Sequence, residues 1–153
     1  MVRLDLQNDE SLEAIPDLAQ FTLWVESSLQ RQFDNLEQTI RVVDEVESRS
    51  LNLQYREIDS PTNVLSFPAD NDYLDYQCLG DLVICAPIVS VEAAHQGKTE
   101  VAHWAHMVIH GMLHLQGFDH ETDAEADKME ALEVEILSSL GYIDPYNAYS
   151  ADK

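Results

Sequence analysis

The chain has 153 residues, and its 8 Lys and Arg against 29 Asp and Glu give a formal charge of −21 with His neutral. That length fits one domain, able to bury about 70% of its unfolded surface without staples, and 45% hydrophobic with 24% charged residues marks a globular rather than a disordered chain. The charge excludes a generic basic coat for nucleic acid and docking on an anionic membrane, since both work through positive charge.

Val2, Leu4 and Leu6 alternate with Arg3 and Asp5, the pattern of a short strand. Leu18, Phe21, Val25, Leu29 and Phe33 recur at helical spacing, so Ser11 to Gln32 should contain an amphipathic helix with Pro16 near its first turn. Thr39 to Asp44 is β-branched and strand-like, and Glu45 to Tyr55 has a helical pattern. The turn-rich run Arg56 to Pro61 leads into a strand from Thr62 to Phe67, stopped by Pro68. Asn71 to Tyr76 reads as a loop and Leu79 to Ala86 as a buried strand. Helices follow from Pro87 to Gln96, ending near Gly97, and from Glu100 to Gln116, ended by Gly117. A last helix, Thr122 to Leu140, opens on the capping-box pattern Thr122-x-x-Glu125 and closes at Gly141. From about residue 142, with Asp144-Pro145, the chain reads as a mobile tail. Strands come first and helices dominate afterwards. With no internal repeat or linker, residues 1–153 are expected to form one α+β domain: a small mixed sheet of about four strands packed with about five helices.

No apolar run approaches the roughly 18 residues of a membrane span, and Met1 to Glu10 lacks the basic-then-apolar pattern of a signal peptide. Cys78 and Cys85 have no metal-motif spacing and sit in a strand-like apolar run, so they read as free buried thiols. These features together place the chain in a reducing, cytosolic compartment, away from membranes.

Six histidines occur, at 95, 103, 106, 110, 114 and 120. His110 and His114 are one helical turn apart, about 40° around the axis, so two imidazoles share one face. Gly117 lets the chain turn back, and His120 can return as a third ligand. The result is H-x-x-x-H-x-x-G-x-x-H, the spacing by which metzincin proteases hold zinc. Three neutral nitrogens without a fourth protein ligand leave a coordination position open, as catalytic sites do. Zincin proteases carry a Glu base directly after the first His; Gly111 stands there and cannot take a proton, which argues against peptide hydrolysis. His106 reads as a core histidine rather than a group behind the ligands, and His95 and His103 as surface residues. Asp119 could orient a ligand imidazole or stabilise the turn.

The run HGMLHLQGFDH from His110 to His120 strongly resembles the motif of the bacterial YbeY endoribonuclease family. LNLQYREIDSPTNVLSFP, from Leu51 to Pro68, and LGDLVICAP, from Leu79 to Pro87, match it as well, in family order. Phe118 stands where Tyr is also common, an apolar exchange. The resemblance implies a metal-dependent, single-strand-specific endoribonuclease, acting at the 3′ end of 16S ribosomal RNA, in ribosome biogenesis and in ribosome quality control. Implied partners are single-stranded ribosomal RNA, the small ribosomal subunit or a ribosomal particle, and ribosome-associated proteins. The metal ligands carry over to His110, His114 and His120, and the functional arginine to Arg56. Zinc (Zn²⁺) suits three imidazoles, as do other divalent transition metals. A guanidinium at position 56 would answer phosphoryl charge by bidentate bonds that Lys could not copy; the alternative is an ion pair with a nearby acid. Thr62 and Asn63 are open between satisfying backbone groups at the strand start and contacting substrate. Competing readings are a metal-dependent hydrolase of another substrate, a binding protein with a structural metal, and a ribosome-assembly factor with secondary hydrolysis.

Overall fold

The computed structural model describes residues 2–8, 15–69 and 77–146. Its elements are β1 (Val2–Gln7), α1 (Leu18–Ser28), β2 (Leu36–Val43), α2 (Glu45–Arg56), β3 (Val64–Pro68), β4 (Gln77–Cys85), α3 (Ala86–Gln96), α4 (Glu100–Leu115) and α5 (Asp123–Ser139). The sheet order is β1-β2-β4-β3, with the first three strands mutually parallel and β3 antiparallel to β4. This is the mixed α+β sheet expected from the sequence. The expected loop at Asn71 to Tyr76 and residues 147–153 lie outside the described residues. The start of the expected tail is packed instead: the Tyr142 amide donates to the Leu137 carbonyl, Pro145 is buried, and the Tyr146 hydroxyl donates to Glu133.

The helix starts follow local chemistry. Asp17 caps α1 in a reciprocal box with Gln20, so Pro16 stands just before the cap rather than in the first turn. Thr122 and Glu125 form the expected box at α5, while Asp44 caps α2 and Thr99 caps α4. Each cap contributes about 1 kcal/mol. The core contributes more, at about 1.5–3 kcal/mol per fully buried large side chain.

The sheet is apolar on both faces because β4 alternates. Leu82 and Ile84 join the main core with Ile40, Val42, Trp24 and Trp104. Val83 and Cys85 face the other way, with Val43, Leu65, Leu51 and Phe67. Period-two alternation in a strand covered on both sides requires this division. Cys85 is buried, Cys78 half-buried, and both are free thiols. Helix α4 runs through the main core, and 11 of its 16 residues are buried. It approaches the sheet closely at Gly111, where a Cβ would lie 2.7 Å from Leu82 Cδ2. Among the described residues, no helix is long and apolar enough to cross a membrane.

Candidate metal centre and cleft

The three histidines singled out in the sequence meet. One nitrogen from each of His110, His114 and His120 lies within 4.8 Å of the other two. Helix α4 supplies the first two, with ring centroids 4.7 Å apart. Its end supplies the third. The amide of Phe118 donates to the Leu113 carbonyl and that of Gly117 to the His114 carbonyl, a Schellman closure. Gly117 has φ +99°, and a Cβ at this position would meet nothing within 4 Å, so backbone conformation rather than space requires glycine there. The turn returns His120 to 5.0 Å from the His114 ring and 5.8 Å from that of His110. Asp119 accepts the His120 main-chain N–H at 2.8 Å, which is the turn-stabilising of its two possible roles.

Behind the cluster stands a residue that sequence reasoning passed over. Glu133 of α5 is fully buried. Its Oε2 accepts from His110 Nδ1 at 2.6 Å and its Oε1 from His106 Nε2 at 2.9 Å, and the Tyr146 hydroxyl also donates to Oε1. Burial alone would raise the carboxyl's pKa, but the hydrogen bonds from the two histidines outweigh it and hold the group ionised, far below the ordinary range. Burial and the adjacent Glu133 carboxylate push the Tyr146 phenol well above its ordinary value, so it stays a donor. An ionised Glu133 takes the hydrogen bond from His110 Nδ1, so in the neutral ring the lone pair is the one on Nε2. Burial, reinforced by His110 and His120, lowers the pKa of His114 and keeps that ring neutral, as ligation needs. The sequence did carry a signal for Glu133: an acid in register with Met129, Ile136 and Leu137 on the buried face of α5.

The other histidines divide. His95 is exposed, as expected. His103 is not a surface residue: it is 2% exposed. Lys98 Nζ lies 3.1 Å from His103 Nδ1 and 3.5 Å from His106 Nδ1. An ammonium can only donate, so both Nδ1 atoms accept. The opposite nitrogens then donate, His103 Nε2 to Glu92 at 2.8 Å and His106 Nε2 to Glu133. His106 is thus both a satisfied core histidine and a neighbour of the carboxylate behind the cluster. The spacing misled for His103 because the partners that bury it, Glu92 and Lys98, come from the preceding helix and turn.

In front of the cluster opens a cleft of about 480 Å³ whose walls include Arg56, Thr62, Asn63 and the three histidines. Arg56 is the last residue of α2, and Glu57, at φ +60°, reverses the chain directly after it. Its Nε donates to Asn52 Oδ1 at 2.9 Å, and its Nη2 lies 3.5 Å from the Thr62 hydroxyl. Both partners are neutral. Asp59, a nearby acid that could have paired with it, is taken by Arg49 through two bonds of 2.6 and 3.1 Å. Asn63 takes the backbone role considered for it, its Oδ1 accepting the Val64 N–H; its amide donates to Glu92, and the residue also lines the cleft. Gly111 faces the sheet, where a Cβ would press on the Leu82 side chain, so the zincin glutamate is absent and a side chain here would require Leu82 to shift.

A family model described as endoribonuclease YbeY matches residues 5–141. A protein named endoribonuclease YbeY from Pseudomonas syringae pv. tomato is 57% identical over 148 residues, covering 95% of this chain and 89% of that one. Its namesake from Stutzerimonas stutzeri is 55% identical, covering 95% and 92%. A solution structure from Thermotoga maritima shares the fold, with a TM-score of 0.52 at 24% identity over 92% of this chain and 91% of that one. With the histidine cluster, the cleft and these relatives in agreement, the chain belongs to the endoribonuclease YbeY family.

Proposed function

We propose that this protein is a zinc-dependent, single-strand-specific endoribonuclease of the cytoplasm, acting at the 3′ end of 16S ribosomal RNA and in ribosome quality control. The observation that carries this reading is the convergence of three imidazoles and an arginine held by neutral partners on one cleft of a chain from this family. The donor set fits a borderline-soft divalent ion: three imidazole nitrogens, with one of the rings oriented by a buried carboxylate. His110, His114 and His120 would hold it, and the ion supplies positive charge that polarises a phosphodiester.

The remaining roles belong to the chain itself. Glu133 keeps His110 in the ligating tautomer. Asn52 and Thr62 hold the Arg56 guanidinium in place, so its other N–H groups can meet nonbridging phosphoryl oxygens without first leaving an acid. A charge of −21 weakens any grip on arbitrary RNA. We therefore assign delivery of the strand to the small subunit or another ribosomal particle, or to a ribosome-associated protein.

Metal analysis of the purified protein, followed by cleavage of single-stranded RNA with and without chelator, tests the reading. Activity should follow zinc content, and a metal-free, fully active protein would overturn it. Arg56→Lys should lower turnover about 10- to 100-fold while leaving metal content and folding intact; unchanged turnover removes Arg56 from the chemistry.

A further inference from the structure

Two aromatic side chains line the cleft beside the histidines, Tyr55 and Phe118, and their surroundings differ. Phe118 is half-buried against the main core, with Lys128 Nζ 5.6 Å from its ring centroid. Tyr55 is 50% exposed. Its ring is braced by Phe67, with centroids 4.4 Å apart and 52° between the planes. Phe67 is itself packed on the second core, with Leu65 and Val83, so the support is rigid. Braced on one side and half exposed on the other, the ring offers free apolar surface to the cleft. It stands on the same cleft as the next residue, Arg56.

We propose that Tyr55 is a stacking platform for an unpaired nucleobase of the RNA strand, adjacent to the phosphodiester that Arg56 and the histidines would hold. The proposal rests on the endoribonuclease reading of the cleft. Every base has a π-face, so such a contact tolerates any sequence. A base inside a duplex is already stacked on both sides and gains little here, whereas an unpaired one gains a partner; the platform therefore selects for single strands. It also suits a chain of charge −21, because stacking does not depend on net positive charge.

The test uses a single-stranded oligoribonucleotide whose cleavage position has been mapped with the wild-type metalloprotein. A matched series carries an abasic residue on either side of the cleaved bond. Tyr55→Ala should lower kcat/KM on the intact strand about 5- to 100-fold, mainly through KM, and Tyr55→Phe should stay within about 2-fold of wild type. On one of the abasic strands the difference between wild type and Tyr55→Ala should vanish. Equal cleavage by Tyr55→Ala, or the same loss on every abasic strand, overturns the proposal. Should the wild type cleave no RNA, the endoribonuclease reading fails by itself. Stacking is then read from quenching of 2-aminopurine in the same oligonucleotide: loss of quenching in Tyr55→Ala supports the platform, and unchanged or absent quenching overturns it.

Discussion

His103 and His106 occupy the first half of α4, His110 and His114 the second, and the two halves treat the same side chain in opposite ways. In the first half Lys98 covers Nδ1 and a carboxylate accepts from Nε2, so both nitrogens of each ring are engaged. In the second half Glu133 engages only Nδ1 of His110, and the ring's other nitrogen is left to the cluster and its cleft. A single residue, Glu133, serves both halves, one oxygen to each. The comparison teaches that histidine content does not make a metal centre. The donors and acceptors behind each ring decide whether a lone pair is left to offer.

The strongest way to break the contrast is His114→Ala. Removing one of three ligands should lower metal affinity on the order of a hundredfold or more and abolish metal-dependent cleavage. Competition with a chromophoric chelator measures the first effect, and circular dichroism should show an unchanged fold. The chelated wild type should stay folded as well, because the core around Trp24, Trp104 and Ile109 holds α4 without the cluster.

Glu133→Gln keeps the volume and removes the charge that fixes both tautomers. Metal affinity should fall about 10- to 100-fold, the usual cost of losing a partner that orients a ligand. A loss confined to stability, with metal affinity intact, would restrict Glu133 to packing.

The smallest effect concerns the first half alone. Burial lowers the pKa of His103 despite the opposing hydrogen bond to Glu92, so the folded protein keeps the ring neutral. As pH falls through about 6.5, the unfolded chain takes up a proton that the folded one refuses, and stability drops by at most about 1.4 kcal/mol per pH unit for this ring. Burial lowers the pKa of His106 too, and its share has the same sign. Urea midpoints of the metal-free protein should therefore decrease between pH 7.5 and 5.5, with a shallower slope in His103→Gln. An equal slope in the variant would show that His103 titrates freely.

Much of the molecule was legible in local pattern. The alternation of Val2, Leu4 and Leu6, the Thr122–Glu125 box and the glycine at 117 each act over a few residues, and each element formed as those residues require. The metal triad was legible for the same reason, since helical spacing and one turn bring His110, His114 and His120 together. β3 begins at Val64, later than expected; Asn63 still gives its carbonyl to the Cys85 amide at 2.9 Å, while its side chain accepts the Val64 N–H and donates to Glu92.

The sequence by itself determined the α+β architecture, the helix caps and the three-histidine spacing, because these depend on backbone geometry and on neighbours within about a turn. Only the tertiary structure decided which histidines offer a lone pair and which arginine stands in the cleft on neutral partners. Glu133 reaches His110 across 23 residues and His106 across 27, and Tyr146 closes on His106 across 40. Asp59 binds Arg49 and so leaves Arg56 to Asn52 and Thr62. Those choices are made where elements pack against one another, and no periodicity within a single element records them.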